Sequence, residues 1–213
     1  MSRRVLIVAI VLGVFGFMPA SGESAPISVL TFEGVSAGAF AGYTQDGFDV
    51  TPASGTWFGR TTYGAPAPFV FFEGFAYLEP PTAASLEVTA GGDLFTFDSV
   101  DLYSSVTKIP WEFTGFLGAV QVFSTSGELG NTFGQFENVI NPSAGVEIDR
   151  LVITLTQPTN ATCPTCDKNP MGPDNIAVRR VPEPSALLLG ATFVAVSWRR
   201  RRTEPLRPTT RHR

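Results

Sequence analysis

Phe95-Thr96-Phe97-Asp98-Ser99-Val100-Asp101-Leu102-Tyr103 is the stretch that decides the fold. Its apolar residues alternate with polar ones, the pattern of a β-strand with one buried face. The alternation changes phase once, because Val100 and Leu102 are out of step with the two phenylalanines. One extra residue in the strand would restore the common face. The sequence therefore predicts a long strand with a β-bulge near Ser99.

A second stretch, Val146 to Leu155, shows the same change of phase. Val146 and Ile148 are in step with each other, and Leu151, which follows, is not. We predict a strand over this range with a β-bulge near Asp149.

Between these stretches and around them, short β-branched and aromatic runs recur between Gly, Pro and Asn residues, and helical periodicity is scarce. The sequence predicts an all-β fold, a single jelly-roll-like β-sandwich. Its ten candidate strands are Ser28 to Phe32, Phe48 to Thr51, Thr56 to Arg60, Phe69 to Glu73, Ser85 to Thr89, Phe95 to Tyr103, Trp111 to Leu117, Val120 to Ser124, Val146 to Leu155 and Ile176 to Arg179.

The N-terminus has the layout of a secretory signal peptide. Arg3 and Arg4 precede an apolar stretch from Val5 to Phe17, and small residues follow. We expect cleavage after Gly22, with Ala20 and Ala25 as alternative sites. Residues 1–22 are then a signal peptide, and residues 23–180 form the exported sandwich domain.

The C-terminus has three consecutive parts. Val181-Pro182-Glu183-Pro184 is followed by an apolar run over residues 185–198 and by four arginines, Arg199, Arg200, Arg201 and Arg202. The prolines keep a helix from starting before Ser185, and the arginines oppose translocation. We expect a short transmembrane helix over 185–198, a stop-transfer cluster over 199–202 and a cytoplasmic tail over 203–213.

This order of motif, apolar helix and terminal arginine cluster resembles the PEP-CTERM sorting signal. The resemblance implies that residues 181–202 are recognised by an exosortase, a membrane-embedded protease-transpeptidase, with Val181, Pro182, Glu183 and Pro184 as the processing motif. It also implies a transient inner-membrane anchor with a periplasmic domain, followed by delivery to the cell surface or extracellular matrix. The apolar run spans about 21 Å as a helix, less than a hydrocarbon core of about 30 Å, so flanking residues must be drawn in.

Charge and composition exclude several functions. Residues 23–180 contain 17 carboxylates and 6 basic side chains, which disfavours nucleic acid as a partner. The only histidine is His212, in the tail, so the exported domain has no histidine for a triad or a His-ligated zinc. Acid pairs suited to glycoside hydrolysis are formally available, but no spacing selects one. We predict a protein with no catalytic residues, which is not an enzyme.

Cys163-Pro164-Thr165-Cys166 contains the sole cysteine pair. Because the exported compartment is oxidising, we predict a local disulfide between Cys163 and Cys166. Redox catalysis would need a helix start that lowers a thiolate pKa, and zinc would need two further ligands.

The domain itself, through Asp98 to Leu102, Thr114 to Gly118, Ile148 to Leu151 and Asp174 to Ile176, resembles the ectodomains of many PEP-CTERM proteins. More distantly it resembles the galactose-binding-like jelly roll of carbohydrate-binding modules. That likeness implies one candidate cofactor, a structural calcium ion held by Glu33 and Asp174, since oxygen ligands suit calcium. The alternative is that Asp174 and Asn175 cap a turn through side-chain to backbone hydrogen bonds.

Two functions follow from these features. The first is a non-enzymatic surface or matrix protein, sorted by an exosortase and associated with exopolysaccharide in a biofilm. The second is a lectin-like carbohydrate-binding module that recognises one glycan. Five aromatic residues are candidates for sugar stacking, with burial in the core as the alternative for each of them: Trp57, Tyr63, Tyr77, Tyr103 and Trp111.

Overall fold

The computed structural model describes residues 26–60, 69–75, 82–158 and 168–182. In these ranges the regular structure is β-strand throughout, with no helix, and hence no helix that could cross a membrane. The predicted signal peptide, the two cysteines, Tyr63, Tyr77 and everything from Glu183 onward lie outside the described residues.

The strands, in chain order, are β1 (Ser28–Leu30), β2 (Gly38–Ala39), β3 (Tyr43–Gln45), β4 (Phe48–Ser54), β5 (Trp57–Arg60), β6 (Phe69–Phe75), β7 (Thr82–Thr89), β8 (Phe95–Ser104), β9 (Ile109–Leu117), β10 (Val120–Leu129), β11 (Glu137–Ile140), β12 (Arg150–Gln157) and β13 (Lys168–Arg180). They form two sheets. The seven-stranded sheet has the order β11-β8-β13-β6-β5-β2, with β1 also paired to β13, and the six-stranded sheet has the order β10-β9-β12-β7-β4-β3. Neighbouring strands are antiparallel, so the predicted all-β sandwich is confirmed.

The bulge predicted in β8 is present. Ser99 pairs with Ala177, but the next pairing joins Phe97 to Val178, which leaves Asp98 as the extra residue. Because of this residue, the apolar side chains on both sides of the bulge are completely buried in one core.

The second predicted bulge is wrong, and the reason is the path of the chain. Ile148 forms a bridge with Phe95 in the seven-stranded sheet, whereas β12, which begins at Arg150, belongs to the six-stranded sheet. Between them the backbone N–H of Asp149 donates to the carbonyl of Phe116 at 2.9 Å. The phase of the apolar pattern changes because the chain crosses from one sheet to the other.

Three short strands, β2, β3 and β11, were not predicted, and β13 begins eight residues before the predicted Ile176. The early part of β13 contains Pro170, Gly172 and Pro173, a composition typical of loops. Its register is nonetheless continuous with β8 on one side, and with β6 on the other. Long-range pairing therefore overrides local propensity here.

The core between the sheets is rich in phenylalanine. Phe97 lies edge-on to Phe113 with ring centroids 5.1 Å apart, and Phe48 lies edge-on to Phe95 at 5.5 Å. Each pair joins the two sheets, and edge-to-face contacts favour such packing beyond the area they bury. The core thus holds the two sheets, and the surfaces they carry, in a fixed relation.

Candidate functional site

The outward surface of the six-stranded sheet is the candidate site. Along β12, Leu151, Ile153 and Leu155 are buried, while the alternating residues face outward and are half-buried. The strand register aligns these residues with outward positions on β7, β9, β10 and β4. We call this surface the polar face; it is defined by Thr51, Ser85, Glu87, Thr89, Glu112, Thr114, Phe116, Gln121, Ser124, Ser126, Arg150, Val152 and Thr154.

Arg150 is held between two neighbours on the polar face. Its guanidinium carbon lies 3.9 Å from the centre of the Phe116 ring, and its Nη1 lies 3.4 Å from Oε2 of Glu87. A cation over an aromatic ring is attracted by the negative charge of the ring face. These contacts come from both flanking strands, so the guanidinium is oriented while 35% of the side chain stays accessible.

A hydroxyl and carboxylate network covers the adjacent part of the face. Glu112 accepts hydrogen bonds from Ser124 at 2.7 Å and from Thr114 at 3.4 Å. The hydroxyls of Ser85 and Thr154 lie 2.8 Å apart. Donors and acceptors thus alternate across strands that the sheet holds in register.

Such a surface suits a polar, uncharged ligand with many hydroxyl groups. Arg150 offers only donors, Glu87 and Glu112 offer acceptors, and the threonine and serine hydroxyls offer both. Phe116 adds an apolar ring, over whose face the guanidinium lies. The polar face can hydrogen-bond a hydroxyl-rich ligand, and its residues include no histidine and no cysteine.

The described aromatic candidates do not form a surface row. Trp57 is buried, with its indole N–H donated to the carbonyl of Ser54 at 2.9 Å. Tyr103 is also buried, in a smaller cluster with Phe71 on the other side of the seven-stranded sheet. Trp111 is half-buried and stacks on Phe113 with centroids 4.4 Å apart. For Trp57 and Tyr103 the core alternative is correct. Trp111 packs against the core, but part of its side chain stays accessible.

Asp174 is buried, whereas Glu33 is exposed. Burial raises the pKa of the Asp174 carboxyl to about 7, with smaller contributions from the negative charges of Asp101 and Glu33. The backbone N–H of Asn175 donates to Asp174 Oδ1 at 2.8 Å, which is the local hydrogen bond of the capping alternative. Among the described residues, no three or more His, Cys, Asp or Glu side chains form a group that could hold a metal ion. Calcium bound by Glu33 and Asp174 stays a prediction.

The processing motif is described only at its start. The N–H of Val181 donates to the carbonyl of Leu94 at 2.8 Å, and Pro182 is exposed. The stop-transfer arginines and the disulfide cysteines lie outside the described residues.

Sequence reasoning missed the polar face, although its signal was present. Alternation in Trp111 to Leu117 and in Arg150 to Leu155 identifies the outward residues of two strands. What the sequence does not provide is the register that puts Arg150 directly opposite Phe116.

Comparisons with known proteins show similarity of fold alone. No protein-family profile and no curated protein sequence matches the chain. Among solved structures, it is similar to TmCBM61 in complex with β-1,4-galactotriose, at 12% identity over 71% of this chain and 94% of that one, with a TM-score of 0.40. It is also similar to the family 32 carbohydrate-binding module of C. perfringens NanJ in complex with galactose, at 12% identity over 71% and 99%, with a TM-score of 0.35. A family 29 carbohydrate-binding module matches at 11% identity over 73% and 92%, with a TM-score of 0.35.

Proposed function

We propose that this chain is an exported, non-enzymatic protein that binds a polysaccharide through the polar face. The observation that carries the proposal is the oriented Arg150, half-buried among hydroxyl and carboxylate groups and supported from both sides by Phe116 and Glu87. An oriented guanidinium loses less conformational freedom when it donates to ligand hydroxyls.

The charge of the domain narrows the class of polysaccharide. With 17 carboxylates and 6 basic side chains over residues 23–180, the domain repels uronic-acid polymers at low ionic strength. On the polar face itself, Glu87 and Glu112 outnumber the single cation Arg150. We infer a neutral or amino-sugar polymer.

The test is affinity electrophoresis of the protein in gels that contain a neutral galactan or glucan, chitosan, or polygalacturonate. We expect retardation by a neutral or amino-sugar polymer and none by polygalacturonate. Replacing Arg150→Gln should weaken binding to a neutral polymer about tenfold or more, because a charge-assisted hydrogen bond contributes about 1.5–3 kcal/mol.

Arg179→Gln is a matched control for this substitution. Arg179 has the same 35% side-chain exposure and also pairs with a carboxylate, Asp98 at 2.7 Å, but it lies in the seven-stranded sheet. Equal losses of polymer affinity in Arg150→Gln and Arg179→Gln would show that the polar face is not the binding surface. Retardation by none of the polymers would contradict the proposed function.

We further propose that the protein reaches the surface or matrix through exosortase processing at Val181-Pro182-Glu183-Pro184. The composition of residues 181–202 supports this, as does the exposure of Pro182 directly after Val181, whose N–H is hydrogen-bonded to Leu94. The inner membrane is the transient partner in this scheme.

The mass of the mature C-terminus tests the sorting proposal. We expect a chain that ends within or next to residues 181–184 in cells with the exosortase, and an intact tail through Arg213 in cells without it. The same C-terminal mass in both strains would contradict sorting, and would leave polysaccharide binding unaffected.

A further inference from the structure

The β9–β10 hairpin exposes apolar side chains where a soluble domain normally has polar ones. Leu117 is 43% exposed, Val120 65% and Val122 38%, and the turn between the two strands is Gly118-Ala119. We call Leu117, Val120 and Val122 the apolar tip. Clustered exposed apolar residues mark contact surfaces more often than isolated ones do.

The apolar tip lies at the end of the sandwich from which the chain leaves the sheet. Val181 is hydrogen-bonded to Leu94, and the adjacent Phe95 forms a bridge with Ile148. The next residue, Asp149, accepts a hydrogen bond from the N–H of Gly118 at 2.6 Å through its carboxylate. An unbroken series of contacts therefore joins the exit point to the hairpin turn.

The length of the remaining chain places a bilayer near this end. From Pro182 to Ser185, where the apolar run over 185–198 begins, the chain reaches at most about 11 Å when fully extended. If that run is anchored in the membrane, the exit end of the domain must lie close to the membrane surface. Ile27, 49% exposed, lies at the same end, because β1 runs antiparallel to β13.

We propose that the apolar tip inserts into the lipid surface beside the C-terminal anchor and orients the domain on the membrane before processing. The inference rests on the proposed membrane anchor and adds a second point of contact. Two points of contact would limit rotation of the domain about the short linker. Apolar burial drives the contact, since the same end carries the exposed acids Asp46 and Glu147, which disfavour anionic lipid.

Tryptophan quenching in nanodiscs tests the proposal on the full chain. The parent variant is Trp198→Phe, which removes the tryptophan of the apolar run; Trp57 and Trp111 remain as a constant background. Val120→Trp is added to this parent and reconstituted in phosphatidylcholine nanodiscs with or without brominated acyl chains. We expect brominated lipid to quench the added fluorescence severalfold more strongly than it quenches the parent.

Phe133→Trp in the same parent is the matched control. Phe133 is 69% exposed and apolar, like Val120, but it follows β10 at the opposite end of the sandwich. Adding Leu117→Asp to the Val120→Trp variant should reduce the quenching. Replacing part of the phosphatidylcholine with phosphatidylglycerol should also reduce it.

The results distinguish failure of the apolar tip to insert from failure of the C-terminal membrane anchor. Equal quenching at positions 120 and 133 overturns the inference, and so does a Val120→Trp variant that brominated lipid does not quench. If that unquenched tryptophan also has a blue-shifted emission, protein and not lipid covers the apolar tip. A full chain that does not stay with nanodiscs during size-exclusion chromatography would instead contradict the anchor itself.

Discussion

Asn169→Leu should destabilise the protein by about 3–5 kcal/mol, the largest effect that we expect from a single substitution outside the apolar core. Asn169 is completely buried at the start of β13. Its Nδ2 donates to Gln157 Oε1 at 2.7 Å, and its Oδ1 accepts from the N–H of Val106 at 2.8 Å. Leucine fills a similar volume, but it leaves the buried amide of Gln157 and the part-buried N–H of Val106 without their partner. Denaturant unfolding at equilibrium measures the loss.

A double-mutant cycle separates the lost hydrogen bond from altered packing. Gln157 is also completely buried, so Gln157→Leu alone should be destabilising too. The double variant should lose less stability than the sum of the two single losses, because it contains neither of the two amides that each single variant leaves without a partner. Asn138→Ala, which removes an exposed amide bonded to Asp101 at 2.7 Å, should change stability by less than about 1 kcal/mol. If Asn138→Ala lowered the free energy of unfolding as much as Asn169→Leu does, burial would not explain the effect at Asn169.

The Asn169 network explains why part of the fold could not be predicted. Its side-chain bonds join residues 12 and 63 positions apart in the chain, and nothing in the local sequence marks them as neighbours. The bulge in β8, by contrast, was predictable, because two runs of apolar residues in opposite phase must share one buried face. The limit of this reasoning appears at Asp149, where an equal change of phase marks a crossing between sheets. Periodicity reports the direction of a side chain, but it does not report which sheet the strand joins.

The same limit applies to the candidate site. The sequence offered five aromatic residues for sugar stacking, with core burial as the alternative for each, and Trp57 and Tyr103 are in buried clusters. Phe116, which was not among the five, supports the half-buried Arg150. The position of each residue along β9 explains this, because alternate residues face opposite sides of the sheet. Trp111 and Phe113 point toward the core, whereas Phe116 faces outward with Glu112 and Thr114. Identifying the site thus required the register of neighbouring strands in addition to the pattern of one strand.

Asp174→Asn should make the protein more stable than wild type at pH 8, by about 2–4 kcal/mol. The ordinary pKa of this carboxyl is 3.8, and in the folded protein it is raised to about 7, chiefly by burial. Between these values the folded protein retains a proton that the unfolded chain has released, so the stability of wild type falls as pH rises from about 4 to about 7. Asparagine stays neutral and keeps an oxygen that can accept the hydrogen bond from Asn175.

Thermal unfolding of both proteins from pH 4 to pH 8 measures this difference. The two curves should lie close together at pH 4 and diverge toward pH 8. Asp46→Asn, at an exposed turn, controls for the loss of one negative charge and should not reproduce the divergence. Glu33→Gln should reproduce a small part of it, because the charge of Glu33 contributes to raising the pKa of Asp174. Parallel curves for wild type and Asp174→Asn would show that the carboxyl is not desolvated in the folded protein.

Thermal unfolding at pH 8 in calcium and in chelator decides whether Asp174 binds calcium or only accepts the local hydrogen bond from Asn175. A calcium ion held by Glu33 and Asp174 would compensate the buried charge, and it would stabilise only the folded state by mass action. Millimolar calcium at pH 8 should then raise the unfolding temperature of wild type toward that of Asp174→Asn, and chelator should reverse the rise. Asp174→Asn itself should not respond. If wild type unfolds at the same temperature in calcium and in chelator, the calcium prediction is wrong, and the role of Asp174 is the local bond to Asn175.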